Sequence, residues 1–488
     1  MKMSIKLKCF IFTAVIAGLF FSTCISSTPK TDNGEPTSVI TINTDKKHQY
    51  VRGFGGMDVA WGNFPRTTAR DTELLYNPDT GLGLNILRIM IMPQNTDINV
   101  TMRDLINGDR PDYYENVKIA NKYGGYVLAT PWTPPKDWKT NNSLDGHGRL
   151  NTKNYKDYAD YLKSFAAHMH DKGAPIYAIS IQNEPNYEVS YDGCLWSPVD
   201  MKNFFIQVGH FTDGVKGYGG GKEIASVRTM NGESANNPNI NDAAMLSPEA
   251  RAVIDIVGRH TYGERLNRYS KALDHPTDPK EVWMTEHLYN SGNASGFPND
   301  STWNYVWKIL NDIDLSIRIN EESAYIWWAA KRFYGLMGDG QYGTKDGELL
   351  PRGYALSHYA KFARDTYRVE ITAEGRARDG SRLSSAYFNS NADSPDGTTA
   401  RATAFVSPDG NTISIVMFTP THLSGTDGID MGKIKIQLPA DFIIAKAAAM
   451  RTSEKSYGKW EEVEIGSDKN SAIVNLPKGQ ILSVRFTR

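Results

Sequence analysis

Two glutamates about a hundred residues apart each follow a short apolar run that predicts a buried strand. Glu184 follows the run at residues 176–181, and Glu286 follows the run at residues 282–285. A carboxylate is costly to keep where a buried strand ends. Such a pair can flank one substrate bond, with one group protonating the leaving oxygen and the other attacking the carbon or activating a water, as hydrolysis of a glycosidic bond requires. The alternative is that each glutamate is an ordinary loop residue.

The elements that must position this pair form a regular alternation. Strand-like segments alternate with helical stretches, which predicts a (β/α)8 barrel. These segments lie at residues 53–57, 86–92, 125–130, 176–181, 224–228, 255–258, 282–285 and 324–328. Between the third and fourth segments, apolar residues spaced by three and four predict one buried helix face, made of Tyr155, Tyr158, Leu162, Phe165 and Met169. Both glutamates then lie at the C-terminal face of the barrel, where barrel enzymes keep their active sites.

After Tyr367 the pattern changes to short alternating runs separated by turn signals such as Pro408-Asp409-Gly410. This pattern predicts an antiparallel β-sandwich beside the barrel. The early strand from Val39 is left over from the barrel and is expected to join the sandwich. The predicted organisation is a leader at 1–27, a linker at 28–38, a strand joining the sandwich at 39–52, the catalytic barrel at 53–366 and the C-terminal β-sandwich at 367–488.

Composition narrows the class of protein. The 488 residues are 40% hydrophobic and 22% charged, with a formal net charge of −1, so neither a nucleic-acid partner nor binding to a charged membrane surface is indicated. Residues 1–27 combine a lysine-rich start with an apolar core too short to span a bilayer, which predicts an export leader. Phe21-Ser22-Thr23-Cys24 resembles a bacterial lipobox with Cys24 as the lipidated residue. Plain secretion is the alternative to this lipid anchor.

Other residues that suit a ligand site end or follow the predicted strands on the same face. They are Arg88, Trp132, Asn183, His260, Tyr262, Trp327 and Trp328. Arg88 could instead be a buried ion-pair partner, and the tryptophans could be core residues. Cys194 is interpreted as a packed thiol. We expect no metal and no cofactor, because the loop at 338–343 lacks the acidic spacing of a calcium site.

Four motifs together resemble glycoside hydrolase family 30 of clan A, and within it the subfamily-8 glucuronoxylanases. They are Arg52-Gly-Phe-Gly-Gly-Met57, Ile181-Gln-Asn-Glu-Pro185, Trp283-Met-Thr-Glu286 and Trp327-Trp328-Ala-Ala-Lys-Arg332-Phe-Tyr334-Gly335. The resemblance runs from about Val39 to the C-terminus. It implies a (β/α)8 barrel with a side β-structure, Glu184 as acid/base, Glu286 as nucleophile, and retention of configuration.

The same resemblance implies that Arg332 and Tyr334 hold a glucuronate branch of xylan, with Trp328 and Ser291 also in contact with it. A guanidinium pairs with a carboxylate through two parallel hydrogen bonds, which suits that role. A plain ion pair is the alternative for Arg332. The family commonly has Tyr where this chain has Leu288, and Lys331 and Phe333 also differ from the commonest residues, so we expect weaker branch dependence.

The sequence therefore predicts a secreted or surface-attached endo-β-1,4-xylanase that acts, as a monomer, on glucuronoxylan. A branch-independent xylanase and an endo-β-1,6-glucanase are the nearest enzymatic alternatives, and Arg332 argues against both. A non-catalytic glycan-binding protein is the alternative from another class. The presence of both Glu184 and Glu286 argues against it, because a binding protein needs no matched carboxylate pair.

Overall fold

The computed structural model describes residues 35–488 except 61, 109, 111, 236–237, 263–274, 276, 289–302, 304–305, 379–381, 385–399 and 422–427. The predicted leader, Cys24 and Ser291 therefore lie outside the described residues. Within the described part of the chain, no helix combines the length and the apolar character needed to cross a membrane.

The described residues from 38 to 329 contain the strands of the barrel and three others. In chain order these strands are β1 (Ser38–Val51), β2 (Gly53–Asp58), β3 (Ile86–Ile91), β4 (Tyr126–Pro131), β5 (Ala178–Ser180), β6 (Gly217–Gly219), β7 (Lys222–Ile224), β8 (Arg228–Met230), β9 (Ile256–His260), β10 (Glu281–His287) and β11 (Ala324–Ala329). The helices are α1 (Ala69–Tyr76), α2 (Ile98–Asn107), α3 (Tyr113–Lys122), α4 (Tyr155–Asp171), α5 (Pro198–Val208), α6 (Asp242–Met245), α7 (Pro248–Arg251), α8 (Val306–Arg318) and α9 (Pro351–Phe362). Single 3-10 turns occur at Lys136–Trp138, Thr152–Asn154 and Pro238–Asn241.

Parallel strands close into a barrel in the order β10-β11-β2-β3-β4-β5-β8-β9, which confirms the predicted (β/α)8 fold. Every residue of β2, β3, β4 and β11 is buried, because the helices cover one face of the barrel and its interior packs the other. The glycines of β2 are needed for strand packing. A Cβ added to Gly55 would lie 1.9 Å from the carbonyl oxygen of Ile86.

The fifth barrel strand lies later than the sequence predicts. The predicted segment 224–228 overlaps β8 only at Arg228, so that prediction is wrong. Its start belongs instead to an antiparallel hairpin in which β7 pairs with β6. Gly220 and Gly221 have φ values of 63° and 79°, the backbone that a tight two-residue hairpin turn requires.

Helix α4 presents the face that the spacing of its residues predicts. Tyr155, Tyr158, Leu162, Phe165 and Met169 are all buried against the barrel core. The chain leaves this helix through Gly173, whose φ of 70° suits a glycine after a helix end.

A second, largely antiparallel sheet packs beside the barrel. Its strands are β12 (Thr366–Arg376), β13 (Arg382–Ser384), β14 (Arg401–Val406), β15 (Thr412–Phe418), β16 (Gly432–Gln437), β17 (Lys446–Ser453), β18 (Ser456–Glu462), β19 (Glu464–Ile465), β20 (Ser471–Leu476) and β21 (Gln480–Thr487), together with β1. Strand β1 pairs antiparallel with β12 and parallel with β16, which departs from a purely antiparallel prediction. The chain therefore enters and leaves the barrel through adjacent strands of this sheet. Helix α9 packs on the sheet, where His358 contacts Ser483 and Thr452.

Candidate active site

Glu184 lies just after β5 in a strained backbone conformation. Its φ is 46°, a left-handed value that costs a non-glycine residue about 1–3 kcal/mol and persists where the surroundings fix it. Its N–H donates to the carbonyl oxygen of Glu233 at 2.9 Å, and its carbonyl oxygen accepts from the N–H of Tyr187 at 3.0 Å. These bonds hold the Glu184 side chain, which is half-buried, at the C-terminal face of the barrel.

Glu286 occupies the corresponding place at the end of β10 and is 6% exposed. Its Oε2 accepts a hydrogen bond from Nη1 of Arg88 at 2.6 Å, and its Oε1 accepts from the hydroxyl of Tyr262 at 2.8 Å. Burial raises the pKa of Glu286, with a further rise from Glu184, while His260 and Arg88 oppose it. Tyr262 is 41% exposed, and its ring packs against His260 and His287.

The two carboxylates and one histidine converge. One oxygen of Glu184, one oxygen of Glu286 and one ring nitrogen of His260 all lie within 4.8 Å of one another. Two carboxylates this close can flank a single bond of a bound substrate. The sequence brings these groups from the ends of three different strands to one point.

His260 is buried at the centre of this group. Its Nδ1 lies 3.1 Å from Oε1 of Glu184, and its Nε2 lies 3.9 Å from an oxygen of Glu233 and 3.9 Å from an oxygen of Glu286. Burial alone would lower its pKa, but the three carboxylates raise it to about 9. A ring that is protonated at neutral pH has no lone pair for a metal ion, so this arrangement favours proton chemistry.

Glu233 is a functional residue that the sequence analysis missed. It lies three residues after β8, is fully buried, and places Oε2 at 3.0 Å from Nη2 of Arg88. Burial alone would raise its pKa, but Arg88 and His260 lower it to about 2. In the sequence, Asn231-Gly232-Glu233 follows β8 much as Asn183-Glu184 follows β5. This similarity cannot be recognised when the fifth strand is placed at residues 224–228.

Arg88 connects these carboxylates from the middle of β3. Besides its contacts with Glu233 and Glu286, its Nη2 donates to Oδ1 of Asn183 at 2.7 Å. Its guanidinium also lies 4.9 Å from the ring centroid of Trp132. The two interpretations of Arg88 therefore coincide, because its buried ion-pair partners are the site carboxylates themselves.

An aromatic cluster adjoins this polar group. The rings of Trp132 and Trp328 lie 6.0 Å apart, and Phe64 packs edge-on against Trp328 at 5.7 Å. Both tryptophans are buried, with exposures of 2% and 8%, so they contribute packing as well as a wall to the site. Leu288 packs against the same cluster.

Arg332 and Tyr334 lie beside this aromatic cluster. Nη1 of Arg332 donates to the carbonyl oxygen of Asn63 at 3.1 Å and lies 3.4 Å from Oδ2 of Asp339. Its guanidinium also lies 4.9 Å from the ring centroid of Phe64. Tyr334 interacts with Arg332, and burial raises the pKa of the Tyr334 hydroxyl. Arg332 thus has an internal carboxylate partner that the sequence did not reveal.

Comparisons with known proteins indicate a family for this chain. A family model described as the glycosyl hydrolase family 30 TIM-barrel domain matches residues 52–280. A glucuronoxylanase XynC of Bacillus subtilis is 30% identical over 342 residues, which cover 68% of this chain and 71% of the relative. A glucuronoxylanase XynC of B. subtilis strain 168 is 29% identical over 350 residues, covering 70% and 74%.

A solved structure shows the same likeness over a longer stretch. The glycoside hydrolase family 30 subfamily 8 xylanase Xyn30A of Clostridium acetobutylicum superposes with a TM-score of 0.70 at 25% identity. The superposition covers 92% of this chain and 100% of that one. It therefore includes the barrel and the second sheet.

Proposed function

Because this chain belongs to glycoside hydrolase family 30, we propose that it is a retaining endo-β-1,4-xylanase with Glu184 as acid/base and Glu286 as nucleophile. The observation that carries the proposal is the closeness of the two carboxylates, whose oxygens lie within 4.8 Å. Retaining enzymes place their carboxyl groups ~5–5.5 Å apart, whereas inverting enzymes leave ~6.5–9.5 Å for a water. The relatives named as glucuronoxylanases supply the substrate class.

The proposed reaction has two steps. Glu286 attacks the anomeric carbon while Glu184 gives its proton to the departing glycosidic oxygen, which leaves a covalent glycosyl-enzyme. Glu184, now ionised, then removes a proton from water as that water attacks the same carbon and releases Glu286. Each displacement inverts the anomeric centre, so the product retains the original configuration.

The surrounding residues support different roles for the two carboxylates. Glu286 accepts one hydrogen bond from Arg88 and one from Tyr262, which fix the direction of its oxygens. Glu184 is more exposed and lies 3.1 Å from Nδ1 of His260. In this proposal the firmly held Glu286 attacks the anomeric carbon, and the more exposed Glu184 exchanges protons with the leaving group and with water.

We further propose that Arg332 and Tyr334 bind a glucuronate branch of the xylan. The supporting observation is a cation held near the catalytic pair by the aromatic cluster, since Tyr334 interacts with both Arg332 and Glu286. Asp339 competes for the same guanidinium, and Leu288 stands where relatives commonly have a tyrosine. Both features favour a weaker dependence on the branch.

The test is release of reducing ends from glucuronoxylan, from unbranched xylan and from β-1,6-glucan, with the anomer of the first product followed by NMR. We expect cleavage of glucuronoxylan to exceed that of unbranched xylan, with the β-anomer formed first. Equal rates on both xylans would identify a branch-independent xylanase. Preference for the glucan would replace the xylan assignment, and no cleavage at all would indicate a glycan-binding protein.

Export is also a proposal. The basic start and short apolar core of residues 1–27 support removal of a leader, and a polymeric substrate must be met outside the cell. Mass spectrometry of the mature N-terminus tests this. A lipid on Cys24 would establish the anchored form, an unmodified N-terminus near residue 28 would establish secretion, and an intact leader would contradict both.

A further inference from the structure

A cavity of about 410 Å³ lies between the barrel and the second sheet. Asp79, on one wall, precedes β3, and Lys361 on another wall lies in the last turn of α9. In a (β/α)8 barrel, segments that precede strands and the ends of the outer helices lie at the N-terminal face of the strands. The cavity is therefore at the opposite end of the barrel from Glu184 and Glu286.

Positive charge dominates the walls of this cavity. Its described lining includes four cationic side chains and one carboxylate, namely Lys361, Arg364, Lys446, Arg485 and Asp79. Nη1 of Arg364 is buried and has no hydrogen-bond partner among the described residues. Because Arg364 also lines the cavity, an anion bound there would offset the charge of its guanidinium.

The cations also act on one another. Burial lowers the pKa of Lys361, and Arg364 and Arg485 lower it further against the opposing effect of Asp79. Burial and Arg364 likewise lower the pKa of Arg485. The protein therefore holds like charges together at this end of the molecule, which indicates a place for an anion.

An exposed tryptophan completes the cavity. Trp460 is 51% exposed and stacks on Phe362 with ring centroids 5.6 Å apart and planes 26° apart. The guanidinium of Arg485 lies 4.9 Å from the centroid of the same Phe362 ring, so Phe362 contacts both the tryptophan and one of the cavity cations. A flat apolar surface beside cations suits a ligand that has both a ring and a carboxylate, whereas an inorganic anion would make no favourable contact with that surface.

We propose that this cavity binds an acidic saccharide, with the carboxylate facing Lys446 and Arg364 and the sugar ring on Trp460. This inference rests on the proposed function, because glucuronoxylan carries uronate groups that could fill the cavity. A second contact far from the cleft keeps the enzyme on its polymer between cuts by raising the local concentration of substrate.

The experiment measures retention of the full chain in native gels that contain glucuronoxylan, with Glu286→Gln in every variant to stop hydrolysis. Trp460→Ala and Lys446→Glu change two exposed residues of the cavity. Lys459→Glu is the matched control, since it makes the same charge change at the exposed residue next to Trp460, on the other side of β18. A second gel series contains the same polymer after reduction of its carboxyl groups to alcohols.

We expect Lys446→Glu and Trp460→Ala to weaken retention about tenfold, as loss of one charged or stacking contact would. Lys459→Glu should retain the parent affinity, and on the carboxyl-reduced polymer Lys446→Glu should no longer differ from the parent. Equal loss in Lys459→Glu, or no loss in Trp460→Ala, would overturn the proposal. Release of the parent by inorganic phosphate at the same concentration as by glucuronate would show a small-anion site and would also overturn it.

A separate assay distinguishes failure of this inference from failure of the proposed function. With Glu286 present, Lys446→Glu and Trp460→Ala should hydrolyse short xylo-oligosaccharides at the parental rate, because such substrates fill only the cleft. Absence of cleavage by the parent chain would contradict the proposed function, whatever the gels show. Normal cleavage without cavity-dependent retention would contradict the cavity proposal alone.

Discussion

Arg88 and Glu233 form an ion pair of 3.0 Å in which both side chains are fully inaccessible to solvent. The same guanidinium donates to Glu286, so Glu233 fixes the donor that holds the proposed nucleophile. Removing one partner of a buried ion pair leaves an uncompensated charge, which typically costs about 3–5 kcal/mol. Glu233 is thus a positioning residue for the catalytic pair.

Glu233→Gln should lower the pKa of His260. The lost charge is one of the three that raise this pKa to about 9, so the pKa should fall by roughly one unit. The measurement is an NMR titration of the His260 ring between pH 5 and 10, with Glu233→Asp as the conservative comparison. An unmoved pKa of His260 would contradict the link between the two residues.

Substitutions of the two proposed catalytic glutamates should differ in how the rate depends on the leaving group of the substrate. Glu184→Gln removes the proton donor and should lower the rate of xylan hydrolysis about 10²–10⁴-fold. A dinitrophenyl xylobioside has a leaving group that needs no protonation, so this variant should still form the covalent intermediate from it rapidly. Glu286→Gln should abolish turnover of both substrates. Burst kinetics of dinitrophenol release distinguish the two variants, and a burst from Glu286→Gln would exchange the proposed roles.

The charge on His260 should make stability depend on pH. Its folded-state pKa is raised to about 9 from 6.5, so its contribution to the free energy of unfolding is full below pH 6.5 and is lost as the pH rises through about 9. The melting temperature should therefore fall across that window. His260→Asn should flatten this part of the curve, and an equally steep fall in the variant would assign the dependence to other groups.

The barrel was predictable where its strands are long and apolar. β3 and β11 are buried over their whole length and stand out in the sequence, and so the polar residues that follow such strands could be placed at one face. β8 has only three residues, Arg-Thr-Met, and no apolar run announces it. The segment near Ile224 is more hydrophobic and therefore resembles a strand more closely, although the glycine-rich turn before it indicates a hairpin.

The sequence did not reveal the carboxylates of Glu233 and Asp339, and the reason differs between the two. Glu233 was missed because its position depends on where β8 ends. Asp339 was missed because it approaches Arg332 within the long segment between β11 and α9, where no periodicity fixes the path of the chain. Spacing alone therefore predicted that Glu184 and Glu286 lie together at strand ends, but it did not predict the carboxylates that pair with the neighbouring arginines.

We expect the pairing of Arg332 with Asp339 to decide how strongly a branch directs cleavage. Arg332→Ala should lower kcat/KM on glucuronoxylan about 10²-fold, which corresponds to roughly 3 kcal/mol for a lost charge-assisted contact, and leave unbranched xylan nearly unaffected. Asp339→Asn removes the competing carboxylate and should raise the preference for the branched polymer about threefold or more.

The double variant, Arg332→Ala with Asp339→Asn, measures the coupling between the two residues. If Asp339 acts only by competing for Arg332, Asp339→Asn should have no effect on kcat/KM once Arg332 is alanine, so the two changes should be strongly non-additive on glucuronoxylan. Melting temperatures of all four proteins are the control, because an ion pair that serves only the fold would lower stability in both single variants. Equal losses of activity on both xylans, with such a drop in stability, would show that Arg332 supports the loop of Asp339 instead of binding the branch.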